Sequence, residues 1–119
     1  MSTNDTYLAV FLGTRANMDA WKALPEAERK AKEQRGMAEW KGWMEQHRGA
    51  VLEIGGPLGK TKRISKSGVA DARNDLGAFA VVRAPSHEAA AKMFEGHPHF
   101  TIFPGDAVEV MPILPIPGA

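Results

Sequence analysis

The sequence predicts an α+β domain of the ferredoxin-like type, in which two helices pack on one face of a four-stranded antiparallel sheet. Strand-like and helical patterns follow in the order β-α-β and, after a charged hairpin-like segment, β-α-β again. The chain has 119 residues, 44% of them hydrophobic and 24% charged, which is typical of one globular domain with its own core. We therefore expect a single domain over residues 1–119, with a polar segment 1–5 and a proline-rich tail 114–119 at its periphery.

The first half of the chain predicts one strand and one long helix. In the run TYLAVFLG from Thr6 to Gly13, the side chains that point to each side of the strand are apolar, so this strand needs cover on both faces. A short helical turn is predicted over 16–24. A long helix then begins at Pro25, with acidic residues in its first turn, and continues to about Arg48. Glycine lowers helix stability, so a bend or a break is expected near Gly36.

The second half predicts strands separated by turns and one further helix. This helix has Ser86 as its N-cap, because a serine hydroxyl can accept from the free N–H groups of a first helical turn. The remaining predicted elements are a strand over 51–54 that ends at Gly55-Gly56-Pro57, a peripheral hairpin over 61–68, a polar loop over 71–76, a strand over 77–84 and a last strand over 106–113.

The uncovered face of the predicted sheet suggests a partner. Two helices cover one face, yet the first strand and the strand over 77–84 are apolar on both. A second copy of the same sheet is the simplest cover, which predicts an isologous homodimer with the two sheets face to face. The alternative is that the tail 114–119 covers this face within a monomer.

Composition excludes several classes of function. The formal net charge of +1 favours neither nucleic acid nor a membrane surface, and no apolar stretch approaches the length of a membrane span. The absence of cysteine excludes disulfides and thiol catalysis and agrees with a cytoplasmic protein. The run Gly55–Thr61 lacks the spacing of a phosphate-binding loop, and the basic residues of segment 60–66 are interpreted as a solvated hairpin face.

The order and spacing of several motifs resemble a known family. The motifs are the strand YLAVFLG, the turn Gly55-Gly56-Pro57, the strand GAFAVVR from Gly77, the segment His97-Pro98-His99 and the strand VEVMP that ends at Pro112. Together they resemble the YCII-related proteins of the dimeric α/β-barrel superfamily. The resemblance implies a ferredoxin-like subunit and a face-to-face dimer. Some members are proposed enzymes with a His–Asp pair, and one is similar to a dechlorinating enzyme for hydroxylated aromatics.

The residues of that catalytic pair are not those of the family pattern. Where the resemblance places the histidine on the long helix, this chain has Glu39 or Trp40. Where it places the aspartate and a following tyrosine, the chain has His97 and His99. The pair therefore does not carry over residue by residue, and dechlorinating chemistry does not follow from the resemblance.

His97 and His99 are the strongest candidates for catalysis. Pro98 biases the residue before it toward an extended backbone, in which residues two apart point to the same side. We therefore expect both rings in one cavity between the long helix and the sheet, with an imidazole as general base and Glu39 to orient it. The alternative is that His97 supports a helix end and His99 lies on the surface. A metal site of two histidines and Glu39 is the weaker hypothesis, and no metal or cofactor is predicted.

An aromatic stripe on the long helix is interpreted as core, with a pocket wall as the alternative. Trp40, Trp43 and His47 recur at helical spacing, and Phe79 on the strand over 77–84 is the expected opposite wall. Such a cavity suits a flat or apolar ligand. Two functions follow: a cofactor-independent acid–base enzyme acting on a small molecule, for instance an aromatic one, or a non-catalytic dimeric module that binds a small ligand or a protein. The sequence leaves open whether the protein is an enzyme.

Overall fold

The computed structural model describes residues 5–118, and this part of the chain forms six strands and four helices. The elements are β1 Thr6–Leu12, α1 Arg15–Lys22, α2 Glu26–Gln46, β2 Val51–Pro57, β3 Thr61–Ser65, β4 Gly68–Ala72, β5 Leu76–Arg83, α3 His87–Lys92, α4 Pro98–Thr101 and β6 Ala107–Pro112. Most of the polar segment 1–5, namely residues 1–4, and the last residue of the tail lie outside the described residues.

Four strands form one antiparallel sheet in the order β2-β5-β1-β6. The first and last strands are neighbours, and the β2–β5 pair lies beside them, which is the ferredoxin-like arrangement. Strands β3 and β4 form a separate two-stranded sheet between β2 and β5 in the chain. The predicted α+β class, the four-stranded antiparallel sheet and the hairpin are therefore confirmed. No helix among residues 5–118 is long and apolar enough to cross a membrane.

Helix α2 is continuous over Glu26–Gln46, so a break at Gly36 is wrong. Gly36 is buried, and a Cβ atom there would lie 2.5 Å from Cε2 of Phe103. The glycine therefore allows close packing of the helix against an aromatic ring. Pro25 occupies the N-cap position and precedes the first helical residue.

Strand β2 extends beyond its predicted end, through the glycines to Pro57. Its register against β5 shifts twice, and Gly55 adopts a left-handed backbone with a φ of +68°. A Cβ atom at Gly55 would overlap the carbonyl of Phe79, so this irregular strand requires glycine there. The predicted polar loop over 71–76 is shorter than expected, because β4 continues to Ala72 and β5 begins at Leu76.

The two faces of the sheet differ in cover. On the face toward the helices, Tyr7, Ala9 and Phe11 of β1 are buried and pair with residues of β5. The opposite face, called the open face here, is formed by the alternate residues. Its exposed apolar residues include Leu76 and Met111, and its half-buried ones are Leu8, Val10, Leu12, Phe79 and Val81. The Cα trace is 18 Å thick in its thinnest direction, which accommodates one sheet and one helical layer.

The tail does not cover the open face. Leu114 and Ile116 are 73% and 75% exposed, and residues 113–118 form neither helix nor strand. The alternative of a monomer closed by its own tail therefore receives no support from the described part of the tail.

Candidate functional site

His97 lies at the start of the short helix α4 and caps it. Its backbone is extended, with φ of −61° and ψ of 140°, and its Nδ1 accepts a hydrogen bond from the backbone N–H of His99 at 3.0 Å. Pro98 follows at the first helical position, which suits its fixed φ. The prediction of an extended backbone therefore holds at His97 but is wrong for the next two residues, because this cap starts a helix.

The structure nevertheless brings both imidazoles to the same aromatic rings. The ring centroid of His97 lies 4.5 Å from that of Trp40 and 5.3 Å from that of Phe11. The centroid of His99 lies 6.3 Å from Trp40 and 5.2 Å from Phe11. Trp43 and Phe94 complete the environment of His97, at 4.9 and 5.9 Å. We call these six side chains the imidazole cluster; it lies on the helix-covered face of the sheet.

The hydrogen bonds define the tautomer of His97. Because Nδ1 accepts, a neutral His97 carries its proton on Nε2. This Nε2 is buried and has no hydrogen-bond partner within residues 5–118, and the whole residue is 1% exposed. A buried donor without an acceptor is uncommon in folded proteins and calls for a structural or functional reason. Here the rings of Trp40 and Trp43 meet the imidazole edge to face.

Burial keeps His97 neutral. Burial, which disfavours the charged form, lowers its pKa to about 4 together with smaller contributions from the positive charges that His99 and His47 can carry. At pH 7 His97 is therefore a neutral hydrogen-bond donor through Nε2. In this arrangement it is not a free general base, since its lone pair on Nδ1 is already used.

His99 has the complementary arrangement. Its Nε2 lies 2.8 Å from the carbonyl oxygen of Leu12, and because a carbonyl can only accept, Nε2 carries the proton and the lone pair of neutral His99 lies on Nδ1. Burial lowers the pKa of His99, while the Leu12 carbonyl and the carboxylate of Asp106 act in the opposite direction. His99 is thus the imidazole of the cluster whose lone pair is suited to accept a proton.

Asp106 is a residue near the cluster that the sequence interpretation missed. Its two carboxylate oxygens accept from the backbone N–H of Thr14 and from the side-chain amide of Asn17, both at 2.6 Å. These bonds join the start of α1 to the chain just before β6 and hold a negative charge near His99. No local signal marks this pairing, because Thr14 and Asp106 are 92 residues apart in sequence.

Trp43 and His47 lie at the C-terminal end of α2, with their rings next to each other. The indole Nε1 of Trp43 donates to the carbonyl of Met93 at 2.7 Å, and its ring is buried. His47 is the C-cap of α2, and its ring lies 4.7 Å from that of Trp43. Burial lowers the pKa of this half-buried histidine. Both residues therefore lie near His97.

A groove lies beside the cluster, between α3, α4 and β6. Its volume is about 260 Å³, and Phe94, Phe100 and Val108 form part of its lining. Phe94 is also a neighbour of His97, so the same aromatic ring lies next to both the groove and the buried imidazole. This is below the usual volume of a drug-sized site and fits a small molecule with a single ring.

Two predicted site residues lie away from the cluster. Phe79 pairs with Val10 on the open face, so the sheet separates it from the tryptophans. A pocket walled by both tryptophans and Phe79 within one subunit is therefore wrong. Glu39 is exposed on α2 and makes no hydrogen bond or ion pair with the rest of segment 5–118, and its catalytic role stays a prediction. The same segment contains no group of three potential metal ligands.

The chain is similar in fold to a solved enzyme. This is the 5-chloro-2-hydroxyhydroquinone dehydrochlorinase from Burkholderia phenoliruptrix AC1100, in complex with 2,5-dihydroxybenzoquinone. The TM-score is 0.52 and the sequence identity 15%, over 88% of this chain and 89% of that chain. No family model matches the sequence, and no curated protein does. At this identity the comparison shows a shared α+β fold.

Proposed function

We propose that the chain is a YCII-like cytoplasmic protein that binds a small molecule, in the first instance an aromatic one, at the imidazole cluster. We further propose that it performs cofactor-independent acid–base chemistry on this molecule. The observation that carries the proposal is the Nε2–H of His97, a buried donor without an acceptor among aromatic rings. An oxygen atom of a bound molecule would supply the missing acceptor.

The two imidazoles are suited to different steps. A neutral imidazole that donates a hydrogen bond can stabilise negative charge as it develops on a substrate oxygen, and this interaction strengthens in an environment that excludes water. His97 meets these requirements. The Nδ1 lone pair of His99 can accept a proton from the same molecule, because burial keeps this ring neutral near pH 7. Glu39 remains the proposed orienting carboxylate. This role requires a contact between Glu39 and an imidazole that the described subunit does not contain.

Access to His97 requires a side chain to move. Phe94 lines the groove of about 260 Å³ and lies next to His97, so we propose rotation of this ring as the step that connects the two. A planar molecule could then stack among the rings of the cluster. The similarity in fold to a dehydrochlorinase that holds a dihydroxybenzoquinone makes quinones and hydroquinones the first compounds to test.

The test is ¹⁵N NMR of the histidine rings while 2,5-dihydroxybenzoquinone or hydroquinone is added. We expect the Nε2–H signals of His97 and His99 to shift, with His87 on α3 as an internal reference outside the cluster. A His97→Leu variant removes the donor but keeps an apolar side chain, and we expect at least a tenfold weaker affinity. Shifts of equal size at all four histidines, or unchanged affinity in the variant, would contradict the proposal.

A second candidate is a non-catalytic binding module. The observation that favours it is the complete enclosure of His97, whose imidazole then serves as a cap for α4 and as core. The two candidates differ in one measurement. Single-turnover assays on bound quinones or hydroquinones give product in the first case, and binding without conversion in the second.

We also propose that the open face forms a homodimer, as in the dimeric α/β barrels. Its apolar side chains lack a covering layer within residues 5–118, and the Cα radius of gyration is 16.4 Å. A compact domain of this length has a radius of about 13.5 Å. Analytical ultracentrifugation tests the proposal, and a monomer throughout the micromolar range would contradict it.

A further inference from the structure

The hairpin formed by β3 and β4 has an exposed apolar surface of its own. Ile64 and Val69 are direct cross-strand partners, and they are 73% and 70% exposed. An isolated two-stranded hairpin is only marginally stable in water. Burial within the described subunit therefore contributes little stability at Ile64 and Val69. We call residues 60–73, which contain the hairpin, the arm.

The charge of the arm differs from that of the remaining chain. The arm contains five basic residues and one acidic residue, whereas the rest of the chain contains ten basic and thirteen acidic ones. Two arms therefore repel each other, and each is attracted to the remainder of another copy. On the open face, the register places the carboxylates of Glu53 and Glu109 among the apolar side chains.

The position of the arm links it to the open face. The arm joins the end of β2 to the start of β5, and Leu76, the first residue of β5, pairs with Leu12 on the open face. Leu58 and Leu76, on either side of the arm, are both exposed. The apolar surface thus continues from the open face to the root of the arm. A second copy seated on the open face would lie next to the arm.

We propose that the arm is a dimerisation element whose Ile64–Val69 surface packs on the second copy of the chain. Its basic residues then lie near the acidic residues of that copy. The inference rests on the proposed homodimer and adds the residues outside the sheet that stabilise it. It also explains why an exposed pair of β-branched residues occurs on a separate hairpin.

The experiment compares two variants by analytical ultracentrifugation. Ile64→Thr combined with Val69→Thr removes the apolar surface but keeps residues that favour strands. Ala70→Thr introduces the same residue on the other face of the arm and is the matched control. We expect the dimer dissociation constant to rise at least tenfold in the double variant and to change less than twofold in the control. Circular dichroism checks that both variants fold.

The outcomes separate the two proposals. A wild-type chain that stays monomeric overturns both the homodimer and the arm. A wild-type dimer whose dissociation constant is unchanged in the double variant overturns the arm alone. Amide exchange gives an independent readout: protection of segment 61–72 should rise with protein concentration in the wild-type chain and rise less in the double variant. Concentration-independent protection of the arm would also contradict the inference.

Discussion

The two faces of the main sheet contain similar apolar residues but differ in what those residues contact. Phe11 on the helix-covered face is buried among Trp40, Phe94 and the two imidazoles. Phe79 is half-buried and lies on the open face, which is the side of the sheet opposite to the helices. The comparison teaches that an apolar pattern shows the need for cover but not its source. Cover by helices of the same chain gives a closed cluster, whereas no helix of residues 5–118 covers the open face.

The largest expected difference between the faces is in stability. We expect Phe11→Ala to lower the free energy of unfolding by about 3–5 kcal/mol, because it leaves a cavity in the packed cluster. Phe79→Ala should cost about 1–2 kcal/mol in the monomer, since its side chain is partly solvated. Urea unfolding at a protein concentration below the dimer dissociation constant measures both. Equal losses would contradict the difference in cover.

The buried imidazole should make stability depend on pH. The unfolded chain binds a proton on His97 near pH 6.5, whereas the folded chain resists protonation until its pKa of about 4. The unfolded state therefore binds more protons between these values, and the free energy of unfolding falls as the pH is lowered from 7 toward 4. The expected loss from His97 is on the order of 2 kcal/mol. Urea unfolding from pH 7.5 to 4.5 measures it.

The control for this pH dependence is a variant that lacks the buried imidazole. His97→Leu should reduce the slope of the unfolding free energy against pH. Part of this slope should remain, because burial also lowers the pKa of His99 and His47. A wild-type protein whose stability is constant across this range would show that the cluster opens readily to water.

Two glycines of α2 should respond with opposite sign to the same substitution. Gly36→Ala places a methyl group against the ring of Phe103, and we expect a loss of about 1–2 kcal/mol. Gly42 has no atom within 4 Å of the added group, so Gly42→Ala should stabilise the protein by about 0.5–1 kcal/mol. Thermal unfolding of both variants tests this packing, and stabilisation by both would contradict it.

The smallest effect is expected on the arm. Lys62 and Asp71 form an ion pair across the hairpin, and both side chains are well exposed. Exposed pairs of this kind contribute roughly 0–1 kcal/mol, so Lys62→Ala should change the unfolding free energy of the monomer by less than about 0.5 kcal/mol. Urea unfolding of the variant at low concentration gives the value. A loss comparable to that of Phe11→Ala would show that the arm belongs to the core of the subunit.

Local patterns predicted most of the fold. Alternating and continuous apolar runs indicated β1, β5 and β6, and the serine cap of α3 is present, with Ser86 Oγ accepting from the N–H of Ala89 at 3.0 Å. The errors occurred where distant residues decide. The course of α2 at Gly36 depends on Phe103, and the extension of β2 through Gly55 depends on the backbone of Phe79.

The candidate site divides in the same way. By itself, the sequence determined that two histidines follow a helix, that tryptophans recur along α2, and that both faces of the sheet need cover, because these features depend on spacing and polarity. Only the tertiary structure decided that His97 caps α4 with an unpaired Nε2–H, that His99 bonds to Leu12, and that Phe79 lies on the other face from the tryptophans. Hydrogen-bond partners and the face on which a ring lies depend on contacts between residues far apart in the chain. Those contacts form when the elements pack together.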